Sequence, residues 1–209
     1  MKQDILPRER ILAAAVELFA RYGFEAMTMR RLGDAVGLDN SSLYRHFPSK
    51  AALADAVVER VTGELLVRIA PMIGPTRPIS LDALEEVSAI VGLYFFDQPA
   101  SARIMTHWIM SMGAGETAFT VRVQASDRTR SGGALLAILS NWMDVGVRRG
   151  VLRDHSAPEA IVILLGAMLI RPASRGYLLG SLEPDLAPEA AREAWEKELR
   201  AFVRGAFAP

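Results

Sequence analysis

Apolar positions recur at spacings of three and four along almost the whole chain, and no stretch alternates convincingly as a strand. The pattern predicts an all-α protein of about nine helices. A first helix runs from about Arg8 to Tyr22, with Ile11, Leu12, Ala15, Leu18 and Phe19 on one face and Gly23 as its stop. Thr28 can cap a short second helix whose inner face carries Leu32, Ala35 and Val36, and Gly37 ends it. Asn40 or Ser41 caps a third, very short helix through Phe47. Pro48 stops it, and Ser49 caps a fourth helix from Lys50 to about Ile69.

Pro71, Gly74, Pro75 and Pro78 mark the first long loop. Ser80 caps a fifth helix to about Phe96, with Ile79 and Leu84 spaced as a hydrophobic staple. Pro99 suits the first position of a sixth helix reaching about Met112. Residues 116–149 read as a long helix weakened at Gly132-Gly133, with Thr120 to Gln124 alternatively extended. An eighth helix starts at Pro158 and is expected to kink at Pro172. A ninth starts at Pro188 and places Ala191, Trp195, Leu199, Phe202 and Ala206 at helical spacings.

Composition changes this picture little. The 209 residues are 51% hydrophobic and 23% charged, which suits a folded globular chain. Cysteine is absent, which removes disulfides, thiolate nucleophiles and cysteine metal sites and fits a reducing cytoplasm. Charges break the apolar run Ile11 to Val16 too early for a signal peptide. The longest apolar run, Ala160 to Ile170, is about half of a membrane span. The expectation is a soluble cytoplasmic protein with no membrane partner. Net charge is zero, so attraction to nucleic acid must come from a local patch. Residues 1–50 carry eight Lys/Arg against six Asp/Glu, and the remainder carries sixteen against eighteen.

Residues 28–47 put two short helices around the turn Gly37-Leu38-Asp39-Asn40, the layout of a helix-turn-helix whose second helix can enter the major groove. Asn40, Ser41 and Arg45 are polar where base edges would be met, and Tyr44 and His46 lie towards the backbone. Thr28 and Ser49 offer caps that can also bind phosphate, and Lys50 opens the next helix. Leu43 and Phe47 hold the short helix on its neighbour. From spacing alone, the same residues fit a capped helix in some other helical bundle equally well.

The run Leu38-Asp39-Asn40-Ser41-Ser42-Leu43-Tyr44-Arg45-His46-Phe47-Pro48-Ser49-Lys50-Ala51-Ala52-Leu53 resembles the signature of the TetR family of bacterial regulators. Upstream, Ala13 to Phe19, Tyr22-Gly23-Phe24, Thr28 and Leu32 to Gly37 fit the same pattern in order and spacing. The resemblance covers about residues 8–60. It implies a homodimer that reads a palindromic double-stranded operator and is released by a small-molecule effector. It also implies a helix-turn-helix domain over residues 1–50 and a helical ligand-binding and dimerisation domain over 51–209. Thr28, Tyr44, His46 and Lys50 match the family's phosphate contacts, and Asp39, Asn40, Ser41 and Arg45 occupy its variable base-reading surface. Asp39 departs from the family's usual serine. A carboxylate there either accepts from a cytosine or caps the third helix, and the cap is favoured.

Further along, Gly113 to Ala118 matches a loose dinucleotide fingerprint but lacks the preceding strand. His46, His107 and His155 are too scattered for a metal site, and no nucleophile motif is present. No cofactor and no enzymatic activity are therefore expected. Tyr94, Arg103, His107, Trp108, Met112, Phe119, Arg122 and Trp142 can line a pocket for an aromatic or anionic effector of unknown identity, although most aromatics there also fit a core. Leu164 and Met168 of the eighth helix, with Trp195, Leu199 and Phe202 of the ninth, suit a four-helix dimer interface like the family's. The functional expectation is a ligand-responsive repressor. An activator or ligand-independent regulator is the first alternative, and a helical-bundle carrier or enzyme the second.

Overall fold

The structure, a computed structural model, describes residues 7–73, 77–112, 131–155, 157–174 and 188–209. Among them are α1 (Pro7–Ala26), α2 (Met29–Val36), α3 (Asn40–His46), α4 (Lys50–Ile69), α5 (Leu81–Asp97), α6 (Pro99–Met112), α7 (Ser131–Arg148), α8 (Ala157–Ser174) and α9 (Pro188–Phe207), and no strand. Residues 116–130 of the expected long seventh helix, with Phe119 and Arg122, lie outside the described residues, as does the Gly113 to Ala118 run. Gly132-Gly133 falls in the first turn of α7.

Local chemistry sets most of the boundaries. Thr28, Ser49 and Ser80 sit in extended conformation just before α2, α4 and α5, and each side chain accepts from the backbone N–H three residues on. Gly23 departs from helical geometry at φ 75°, so α1 breaks there and resumes for one more turn to Ala26. Pro172 lies inside the last turn of α8.

Ile11, Leu12, Ala15 and Phe19 of α1 are buried against α2 and the N-terminal half of α4. From Leu53 to Ile69, α4 buries seven residues along one face and carries the same core into a second bundle. There α5 is the central element, packed on α4, α6, α8 and α9. Its contact with α9 is close: an added Cβ at Gly92 would run into the Leu199 side chain, and Trp195 Nε1 donates to Gly92 O at 3.3 Å. Ion pairs tie the ends of the two helices. Arg192 reaches Asp97 at 3.1 Å, and Arg204 reaches Asp82 at 2.8 Å and Glu85 at 2.6 Å.

This packing corrects the expected dimer surface. Trp195 and Leu199 are buried inside the subunit against α5, and Leu164 and Met168 of α8 are buried as well. Of the five residues named for the interface, Phe202 alone is exposed. The reason is geometric: α9 buries Trp195, Leu199, Val203 and Phe207, a strict four-residue repeat that leaves Phe202 on the flank. Exposed apolar side chains occur elsewhere on these helices, at Val162 and Ile170 of α8.

Candidate nucleic-acid interface

The short helix α3 has seven residues, far fewer than the roughly 12–15 that an isolated helix needs to persist in water. Its existence therefore rests on capping and packing. Asp39 is the cap: its carboxylate accepts from Ser42 N at 2.7 Å and from the hydroxyls of Ser41 at 2.7 Å and Ser42 at 3.3 Å. Asn40 and Ser41, the expected caps, instead form the first turn. The Ser41 hydroxyl, with the Ser42 N–H, holds the Asp39 carboxyl below the usual carboxylate range. The cap thus occupies three of the carboxylate's roughly four acceptor positions. Leu43 and Phe47 are buried beneath the helix.

Gly33 and Gly37 let α2 approach α3. Gly37 closes α2 in the left-handed conformation at φ 70° and donates to Gly33 O. A Cβ at Gly33 would meet Leu38 O at 2.6 Å and Leu43 Cδ1 at 3.4 Å, so only glycine allows the turn to fold back this tightly. With one side of α3 clamped inward, Asn40, Ser41, Tyr44, Arg45 and His46 are all exposed on the other. Arg45 donates to Ser42 Oγ at 2.9 Å, which draws the guanidinium along the helix surface.

Thr28 and Lys50 flank this face. The Thr28 hydroxyl accepts from Arg31 N at 3.2 Å. Lys50 Nζ donates to Phe24 O at 2.8 Å and Glu25 O at 3.2 Å, and lies 4.4 Å from the centre of the Phe24 ring. An ammonium has three N–H donors, so one remains for a further acceptor. Sequence reasoning missed four arginines around the unit. Arg8 stacks over Phe47 at 5.1 Å, Arg10 reaches Val36 O at 3.5 Å, and Arg31 stacks over Tyr22 at 4.6 Å. Arg30 is exposed beside Arg31. The Arg30-Arg31 pair next to a cap was a usable signal. The contacts of Arg8 and Arg10 were not readable, because their partners lie far along the chain.

The residues expected in one effector pocket separate into different places. Tyr94 is a tie between helices: its hydroxyl donates to Glu64 at 3.0 Å, and Arg68 covers its ring at 5.3 Å. Burial, and then the Glu64 charge, push its pKa up to about 12. Trp142 is buried on α7, and its indole N–H has no partner among the described residues. Between α4, α5, α6, α7 and α8 lies an apolar cavity of about 60 Å3, counted for the centre of a water-sized sphere, with Leu84, Phe95, Met105, Trp108, Leu164 and Met168 among its walls. Thr62 and Ser88 bring its hydroxyls, and that of Thr62 already donates to Val58 O at 2.9 Å. Arg103 and His107 face a different hollow, between α1, α4 and α6, which Trp108 also borders. The Met112 side chain lies outside the described positions. Among the described residues, no three His, Asp or Glu side chains gather as for a metal ion.

Residues 11–57 match the family described as bacterial regulatory proteins of the tetR family. This N-terminal segment belongs to the TetR family. The match takes in the helix-turn-helix, from Ile11 under α1 to Val57 in α4. Nucleoid occlusion factor SlmA of Haemophilus influenzae is 30% identical over 101 residues, 47% of this chain and 45% of that protein. The chain thus matches about half the length of this curated relative. The tetracycline repressor protein class C of Escherichia coli is 43% identical over 54 residues, 26% of this chain and 25% of that one. The solved structure of AibR, in complex with isovaleryl coenzyme A and operator DNA, superposes with a TM-score of 0.66 at 16% identity, covering 97% of this chain and 98% of that one. At that identity the likeness is one of fold. The shared fold spans nearly the whole chain, beyond the matched N-terminal segment.

Proposed function

We propose that this TetR-family chain is a dimeric transcriptional repressor that places α3 in the major groove of a palindromic operator. A small effector entering the interior of the second bundle releases it. The carrying observation is α3 itself, capped by Asp39, clamped by Leu43 and Phe47, and presenting only polar and aromatic side chains outward. Asn40, Ser41 and Arg45 are the base-reading groups, and Thr28, Tyr44, His46 and the remaining donor of Lys50 engage phosphate. Asp39 is a cap that leaves the bases to its neighbours. Residues 1–50 form the DNA-binding unit, and residues 51–209 carry the effector site and the dimer contact.

Two relatives support the reading by what they are: one is a repressor named for tetracycline, and another was solved with an acyl thioester of coenzyme A and operator DNA. The apolar cavity between α4 and α8 is the effector site in this reading; at about 60 Å3 it must widen to admit an effector, and its walls suit an uncharged, apolar group. The dimer contact is the exposed stripe Val162, Gly166, Ile170 of α8 with Phe202 of α9. The protein acts by binding rather than by catalysis.

Fluorescence anisotropy with duplexes from the region upstream of the gene tests the proposal. Binding should be saturable and should weaken steeply with salt, since a neutral protein must rely on a cluster of phosphate contacts. Lys50→Ala should weaken all duplexes alike and lower the salt slope by about one. Failure to bind any upstream or selected duplex overturns the reading, and an unchanged Lys50→Ala variant refutes the docking face.

A further inference from the structure

The hollow between α1, α4 and α6 measures about 560 Å3, within the roughly 300–1,000 Å3 of small-molecule sites. It is separate from the apolar cavity and chemically unlike it. Phe19 and Phe24 stack at 5.8 Å, and His107 stacks on Phe24 at 6.2 Å. Trp108 and Ile104 complete the apolar wall. Arg103 lines the same space one helical turn before His107, so the two basic side chains share a face of α6.

Arg103 is the feature that needs explaining. Its side chain is half-buried, its Nε is fully buried without an acceptor, and no carboxylate pairs with it among the described residues. With no protein carboxylate paired to it, the guanidinium gains a charge-assisted contact from an anion brought into the hollow that it lines. Two acids, Glu25 and Asp55, also border the hollow. Asp55 is already engaged in another contact, and Glu25 is exposed to solvent. Their presence disfavours a polyanion such as a nucleotide and leaves room for a single negative charge at the Arg103 end.

We infer that this cleft is a second small-molecule site, taking an aryl-substituted carboxylic acid with its carboxylate on Arg103 and its ring among Phe19, Phe24 and Trp108. The site touches the corner that holds Lys50, because the same Phe24 supplies both the ring beneath the Lys50 ammonium and a carbonyl that accepts from it. It is independent of the effector cavity and of DNA binding, and its test needs no DNA and uses the apolar cavity only as a control.

Calorimetry on the full chain without DNA, with phenylacetate and indole-3-acetate as probes and phenylacetamide as the uncharged control, decides the matter. At least one acid should bind saturably at one site per subunit, and the amide should bind about tenfold more weakly or worse. Arg103→Gln should cost the acid a similar factor. Ala54→Trp, which fills the cleft from α4, should abolish binding, and Leu164→Trp, which fills the apolar cavity, should leave it unchanged. Circular dichroism checks that each variant is folded, and either cleft variant alone suffices if the other fails to fold. Absence of binding by both acids overturns the inference. So does equal binding of the amide, full affinity in a folded cleft variant, or loss of binding in a folded Leu164→Trp protein.

Discussion

Tyr94, one of the aromatics named for a pocket on sequence grounds, has a structural role of its own. It joins α5 to α4 through Glu64, and its hydroxyl keeps its proton up to about pH 12, against an ordinary value of 10.0. The consequence for stability has a definite sign. Above pH 10 the unfolded chain loses this proton while the folded chain retains it, so the unfolded state is favoured increasingly until about pH 12. The contribution of Tyr94 is thus complete below pH 10 and fades through that window. Tyr94→Phe should lose about 1 kcal/mol at neutral pH, the typical worth of one hydrogen bond. It should also show a shallower fall in stability between pH 10 and 12 than the wild type, as measured by urea unfolding at stepped pH. An equally steep fall would assign the alkaline loss to other groups.

Elements were legible where their causes are local. The caps Thr28, Ser49 and Ser80, the stop at Gly37 and the start at Pro99 act within four residues, and the structure has all of them where the sequence places them. The helix-turn-helix was legible for the same reason, and so was the choice of Asp39 as a cap over a base contact. What the sequence hides is which side of a helix wins when two are apolar. On α9 both Phe202 and Val203 continue the pattern, and the decision belongs to Gly92, more than 100 residues away, whose missing side chain admits Leu199. Of the residues grouped for one pocket, Arg103, His107 and Trp108 do border one hollow, whereas Tyr94 and Trp142, on other helices, line neither cavity. The tightest of the local elements gives a sharp test. Gly33→Ala drives a methyl group against the Leu38 carbonyl and should destabilise the N-terminal unit by about 1–3 kcal/mol. Proteolysis should then cut first between α2 and α3, with DNA affinity reduced; wild-type resistance to protease would show that the turn can yield.

For the whole molecule, the proposed dimer turns on surfaces that the monomer leaves uncovered. Wild-type protein should scatter light as a dimer at low micromolar concentration, and Val162→Asp combined with Phe202→Asp should give folded monomers that have lost operator affinity. Trp195→Asp should instead unfold the subunit, because it places a charge against α5, at a cost of about 3–5 kcal/mol. A folded Trp195→Asp monomer would return the interface to the inner face of α9. The pairing of α5 with α9 bears on motion as well. It is joined at Asp82, Gly92 and Asp97 by Arg204, Trp195 and Arg192 in turn; the two outer ion pairs are exposed and individually weak, and the buried Trp195 contact resists sliding most. These two helices act as a chassis. In the proposed mechanism they are the frame on which α4 and α6 would tilt, carrying α1 with them.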